Sequence, residues 1–206
     1  MILIGQYDSP FVRRVGIALR LYGLPYDHRP WSVFGDGEAI RALNPLMRVP
    51  TLVLDDGFVL TDSHMILDHL DSLVTEPMFA RTEPDRHCGL KVAALATGLA
   101  DKAVSLFYER ALHREPSVTW AARCAHQIGS VLVALEADRA ARPGPWWFGS
   151  KLGHADIAAA CALRFVAEAH RDAVDLTPYP ALRQHAAACE ALAVFTEIHQ
   201  PFVAPA

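Results

Sequence analysis

Ser9 and Pro10 stand where a short apolar run, residues 1–7, gives way to Phe11, Val15, Ala18, Leu19 and Tyr22 at helical spacing. A serine followed by proline at such a junction is a helix N-cap with proline at the first helical position. Its hydroxyl then lies where the first N–H groups and the positive end of the helix dipole converge. An anion is stabilised in that place by the helix dipole and by a hydroxyl that can donate to it. Capping alone would also account for Ser9-Pro10. A second polar pair, Asp62-Ser63, opens another helical pattern and reads as an acidic helix start. Val49-Pro50 precedes a strand pattern, where a proline is tolerated at the first residue of an edge strand.

These residues need elements to hold them. Residues 1–7 read as a buried strand, the segment from Pro10 to Tyr22 as a helix ended by Gly23, and residues 24–31 as a second strand, parallel to the first in a right-handed βαβ unit. Residues 34–42 are less regular. Residues 50–54, the turn Asp55-Asp-Gly57 and residues 58–61 then predict an antiparallel hairpin. A helix over residues 63–73 follows, with Met65, Ile66, His69 and Leu70 on one side. Residues 74–84, with Pro77 and Pro84, read as a linker. Beyond Pro84 every pattern is helical: residues 85 to about 113, 117 to about 142, 155 to about 170 and 181 to about 199.

Composition divides at the same place. Residues 1–84 hold 4 alanines and residues 85–206 hold 29. The first part carries 7 basic and 11 acidic residues and the second 12 of each, so the net charge of -4 belongs to the first part. Alanine on so many faces suits closely packed helices. The expected organisation is an α/β domain over residues 1–76, a linker over 77–84 and an all-α bundle over 85–206.

Other classes are excluded or disfavoured. A pI near 6.2 offers no electrostatic attraction for phosphate backbones or anionic lipid, so neither nucleic acid nor a membrane is expected as a partner. No apolar run reaches the roughly 18 residues that span a bilayer, and residues 1–7 lack a basic leader and a signal-length core, which predicts a cytoplasmic protein. Cys88, Cys124, Cys161 and Cys189 are too widely spaced for a redox pair or zinc knuckle and read as core thiols. The ten histidines show no ligand spacing, so no metal is expected.

Four segments together carry a resemblance to the cytosolic glutathione S-transferase family: Ser9-Pro-Phe-Val-Arg-Arg-Val15, Asn44-Pro-Leu-Met-Arg-Val-Pro50, Thr61-Asp-Ser63 and Leu152-Gly-His-Ala-Asp-Ile157. The sequence looks most similar to bacterial members that begin with a strand and Ser-Pro-Phe-Val-Arg. The resemblance implies a thioredoxin-like N-terminal domain followed by a helical domain, a homodimer, glutathione as co-substrate and no metal. It implies a detoxifying transferase that activates the thiol for attack on a hydrophobic electrophile.

Carried over to this sequence, the family pattern makes Ser9 the thiol-activating hydroxyl. Tyr7 is the alternative, since some branches use a tyrosine near the end of the first strand, and strand alternation would put Tyr7 and Ser9 on one side. Val49-Pro50 resembles the family's cis-proline step, with the backbone of residue 49 binding the cysteinyl unit like an added strand. Arg48 would reach the glycyl carboxylate or simply be solvated. Asp62 and Ser63 would hold the ammonium and carboxylate of the γ-glutamyl unit. Gly153 and Asp156 resemble the family's capping box, with glycine where serine or threonine usually stands. Asp101 falls where relatives present an acid to the neighbouring subunit, or is a plain surface acid. Phe11, Trp31, Phe34, Phe107, Tyr108 and Trp120 would wall the electrophile pocket, or are ordinary core. Two further readings stay open: a non-catalytic binding or regulatory protein on the same fold, and a glutathione-dependent isomerase or dehalogenase using the same thiolate.

Overall fold

The computed structural model describes residues 1–204. By contacts the chain forms two compact units, one of Met1–Met78 together with Leu192–Val203, the other centred on Phe79–Ala191.

In the first unit, β1 (Ile2–Ile4) lies between β2 (Asp27–Arg29), which is parallel to it, and β3 (Thr51–Val53), which is antiparallel; β4 (Val59–Thr61) closes the hairpin with β3. The order is β2-β1-β3-β4, a mixed sheet that contains the parallel pair and the antiparallel hairpin the sequence predicts. Helices α1 (Pro10–Leu21), α2 (Gly37–Arg41) and α3 (Ser63–Ser72) complete the thioredoxin-like half.

The strands are shorter than expected. β1 stops at Ile4 because Gly5 takes φ +126°, and a Cβ there would lie 2.5 Å from Val12 Cγ2 and 2.7 Å from Val49 Cβ. Only glycine permits that conformation and that approach. Tyr7 and Ser9 therefore belong to a turn, with Ser9 N–H donating to Gln6 O at 3.2 Å, and strand alternation does not govern their directions. β2 likewise covers only three residues of the expected 24–31. On α3 the packed face is Ser63, Ile66, Leu67 and Leu70, while Met65 is 59% exposed. The apolar face is therefore one step away from the one read from Met65 and His69.

The second unit is all helical: α4 (Asp85–Leu112), α5 (Val118–Ala140), α6 (His154–Ala169) and α7 (Pro180–Glu190). From His154 to Leu163 every residue of α6 is buried, and five of the ten are alanine, so the helix is enclosed on all sides at close range. The helix expected over residues 181–199 is broken instead. Leu192 is extended, and α8 (Ala193–Glu197) carries Phe195 into the core of the first unit.

A buried polar hub ties α5, α6 and α7 together. Arg139 Nε donates to His185 Nδ1 at 3.2 Å, which leaves the imidazole proton on Nε2, 3.3 Å from Asp156 Oδ1. Burial, with the Arg139 charge beside it, pushes His185 down to about 4. The unfolded imidazole titrates near pH 6.5. Below that pH the unfolded chain binds more protons than the folded one, so stability falls as pH drops from about 6.5 toward 4, at up to about 1.4 kcal/mol per pH unit. Burial raises Asp156, which opposes this trend at the acid end, so the effect is read between about pH 6.5 and 5. The thermal midpoint should decline over that window, and His185→Gln should remove most of the slope. His170, lowered by burial, supplies the remainder. An unchanged slope in the variant would overturn this assignment.

Candidate functional site

Two helix N-termini of the first unit carry the polar residues singled out above. Ser9 caps α1 with extended backbone, and its Oγ accepts from Val12 N–H at 3.4 Å. Among the described residues its own O–H has no acceptor, so the hydroxyl is a donor available to a ligand. Tyr7 is placed differently. Its hydroxyl lies 2.8 Å from Tyr26 Oη, its ring stacks on His28 at 3.9 Å, and its edge meets Gly16 of α1 so closely that a Cβ there would be 2.8 Å from Cε1. Burial first, and the bond to Tyr26 second, hold its phenol well above the ordinary range. The same turn thus presents one hydroxyl with a proton to donate and one committed to the interior.

Asp62 caps α3, accepting from His64 N–H at 2.8 Å, with φ +68°. A non-glycine residue in this region costs on the order of 1–3 kcal/mol and persists where its surroundings impose it, often at binding sites. It brings the Ser63 side chain into the first turn of α3, where Ser63 Oγ accepts from Arg14 Nη1 at 3.3 Å. Ser63 and Arg14 are both buried. Arg14 thereby couples α1 to the start of α3.

The Val49–Pro50 peptide is cis. Val49 engages no hydrogen bond through N–H or C=O among the described residues. The loop before it is shaped by Asn44, whose Nδ2 donates to Arg48 O at 2.9 Å and to Thr51 Oγ1 at 3.1 Å, and whose Oδ1 accepts from Leu46 N–H at 3.0 Å. Arg48 is exposed while its carbonyl is tied inward. Because the Gly5 backbone abuts both Val12 and Val49, the Ser9 end of α1 and the Val49 step are neighbours, and Arg14 extends the cluster to Ser63.

The aromatics are divided. Phe11 and Trp31 are half-buried and Phe34 is 48% exposed in the first unit, with the Arg29 guanidinium 5.6 Å from the Trp31 ring. Phe107 and Tyr108 meet edge to face at 6.1 Å on α4 of the second. Trp120 lies on α5, with the Lys102 ammonium over its ring.

Arg13, Arg14, Tyr26 and Asn44 also hold this region, and their residue types alone do not mark them for it. A signal existed for the arginines: they sit side by side within the apolar stripe of α1, between Val12 and Val15, and both prove buried. Asn44 was visible only as part of a motif. Among the described residues no group of three or more His, Cys, Asp or Glu is placed to hold a metal, and no helix is long and apolar enough to cross a membrane.

Residues 3–78 match the family "Glutathione S-transferase, N-terminal domain" and residues 119–188 match "Glutathione S-transferase, C-terminal domain". A maleylacetoacetate isomerase of Pseudomonas aeruginosa is 31% identical over 210 residues, spanning 97% of this chain and 95% of its own. One from Mus musculus is 29% identical over 205 residues, spanning 96% and 91%. Among solved structures, a glutathione transferase family member from Pseudomonas fluorescens with bound glutathione superposes with a TM-score of 0.84 at 29% identity, covering 98% of this chain and 99% of that one. A glutathione S-transferase from Methylobacterium radiotolerans, in complex with glutathione sulfonate, reaches 0.89 at 24% identity over 100% and 98% of the two chains, a likeness of fold.

Proposed function

Since the chain belongs to the glutathione S-transferase family, we propose that it binds glutathione on the first unit and uses Ser9 to hold the sulfur as thiolate for attack on a hydrophobic electrophile. The observation that carries this reading is the Ser9 hydroxyl, at the positive end of α1 with no acceptor of its own among the described residues. Glutathione supplies the sulfur nucleophile. Ser63 Oγ and the first N–H groups of α3 meet the γ-glutamyl carboxylate, as helix N-termini meet anions generally, and Asp62 takes the ammonium group. The unpartnered N–H and carbonyl of Val49 pair with the cysteinyl backbone as an added strand would, Pro50 fixes the end of that edge, and Arg48 faces the glycyl carboxylate. Ser9 donates to the sulfur and the α1 dipole favours its charge, so the thiol proton is lost to water below its ordinary pKa. Phe11, Trp31 and Phe34 of the first unit are the apolar side chains proposed to meet the electrophile there.

A second reading, a glutathione-dependent isomerase, is favoured by one observation: the relatives matched along nearly their full length are named maleylacetoacetate isomerases. It uses the same thiolate, released at the end of each cycle instead of retained in the product. We further propose a homodimer, tested by light scattering, and a bacterial origin, in keeping with the Pseudomonas relatives and the Ser-Pro-Phe-Val-Arg start. We propose a cytoplasmic setting as well, in keeping with four cysteines too widely spaced for a redox pair or zinc knuckle.

Calorimetry of glutathione binding tests the core of this reading. Ser63→Ala should weaken binding about ten- to a hundredfold, the range for a hydrogen bond to a charged group. No binding by the wild type at millimolar glutathione would overturn the transferase and isomerase readings together, leaving a fold kept for another partner.

A further inference from the structure

The turn that carries Ser9 is held by residues from the opposite end of the chain. Ser9 N–H closes the turn onto Gln6 O, but the Tyr7 N–H points away from it and donates to Gln200 Oε1 at 3.2 Å, across a sequence separation of 193 residues. The segment that delivers Gln200 is anchored beneath α1. Arg13 Nε donates to Ile198 O and Arg13 Nη2 to Phe195 O, both at 2.8 Å, with the guanidinium 5.3 Å from the Phe195 ring centroid. Arg13 and Phe195 are fully enclosed, and Ile198 is nearly so. A Cβ on Gly16 would lie 3.0 Å from Ile198 Cγ2 and 2.8 Å from Tyr7 Cε1, so a glycine in mid-helix lets the strap and the Tyr7 ring meet the same face of α1. Outside this seat, Arg20 Nη2 pairs with Glu197 Oε1 at 2.6 Å. A buried arginine held by these carbonyls is a demanding anchor, since its charge must be fully satisfied there.

We propose that Gln200 is a positioning residue for Ser9: the strap Leu192–Val203, anchored by Arg13, presents Gln200 Oε1 to the Tyr7 N–H and so fixes the turn that aims the Ser9 hydroxyl. This rests on the reading of Ser9 as the group that meets the glutathione sulfur. Gln200 touches no reacting atom. Its effect is geometric, and hydroxyl placement matters most where charge is stabilised at the sulfur, because displacement of a catalytic group by about 1 Å can cost up to about a hundredfold.

The test is a pH titration of the ultraviolet thiolate absorbance of bound glutathione in the wild type, Gln200→Ala and Gln200→Glu, with kcat and KM for glutathione at pH 6.5. In Gln200→Ala the bound thiol should titrate about one pH unit higher and kcat should fall about tenfold, with KM for glutathione within about twofold of the wild type. Gln200→Glu retains an oxygen to accept the Tyr7 N–H and should restore the wild-type titration. A Gln200→Ala titration that coincides with a depressed wild-type one overturns the positioning role, whatever the variant's thermal midpoint. A wild type whose bound thiol titrates near the free value overturns the Ser9 reading itself, and the proposal with it.

Discussion

Ser9→Ala is expected to lower kcat about a hundredfold at pH 6.5 while leaving KM for glutathione within about twofold, because the lost bond acts where charge sits on sulfur and not where the peptide is gripped. A factor of this size corresponds to the bound thiol moving about two pH units, back toward its unassisted value near 8.5. The sign sets the pH dependence. The thiolate fraction falls as pH drops through the thiol pKa, so the wild type should keep its rate to lower pH than the variant, and the two should converge above about pH 9. Capping is separable from activation. Alanine at the N-cap costs about 1 kcal/mol of helix stability, whereas glycine costs only a few tenths, so Ser9→Gly should match Ser9→Ala in kcat while losing little in thermal midpoint. Ser9→Thr keeps both the cap and a hydroxyl and should recover much of the rate. Tyr7→Phe should leave the thiolate titration in place, since the Tyr7 hydroxyl is bound to Tyr26 and burial opposes its ionisation. Unchanged turnover in Ser9→Ala together with a loss in Tyr7→Phe would transfer the role to Tyr7.

The sequence alone carries what short-range physics dictates. Ser9-Pro10 as an N-cap, Asp62-Ser63 as a helix start and the Asp-Gly turn of the hairpin each depend on a few adjacent residues, and all three are present in the structure. The strand lengths were not legible, because what ends β1 is the approach of Val12 and Val49 to Gly5, residues distant in sequence. For the same reason alternation does not relate Tyr7 to Ser9: it holds within a strand, and both residues lie beyond β1. The break between α7 and α8 escaped the periodicity because Phe195 still falls at an apolar position, although it is buried in the other unit. The position of Arg13 and Arg14 within the apolar stripe of α1 hints at burial, but their partners, the carbonyls of Phe195 and Ile198 and the hydroxyl of Ser63, are distant in sequence. Local capping signals placed the first polar atoms of the site, while the partners that hold those atoms come from tertiary structure.

The same division between a legible cap and hidden partners makes Asp156→Ala the substitution with the largest expected loss of stability, about 4 kcal/mol. Sequence shows only half a capping box, Gly153 with Asp156 three residues on, and the structure supplies that half: Asp156 Oδ2 accepts from Gly153 N–H at 2.8 Å. The other oxygen is also engaged, accepting from Trp147 N–H at 2.7 Å and facing His185 Nε2 at 3.3 Å, and Asp156 is 1% exposed. Alanine would strand two backbone N–H groups and one imidazole N–H away from water, each at about 1–3 kcal/mol, offset in part because the buried carboxylate's own desolvation cost disappears. Asp156→Asn keeps one carbonyl oxygen but turns an NH2 group toward N–H donors, so it should cost about half as much. Gly153→Ser should act in the opposite direction, since φ -130° and ψ 177° suit any residue and a hydroxyl would complete the reciprocal bond, adding several tenths of a kcal/mol. Urea unfolding followed by tryptophan fluorescence, which reports chiefly on Trp120, Trp146 and Trp147 of the second unit, checks all three. A loss below about 1 kcal/mol in Asp156→Ala would mean that water replaces the carboxylate at the hub, and that α6 is held by its enclosure among the other helices rather than by its cap.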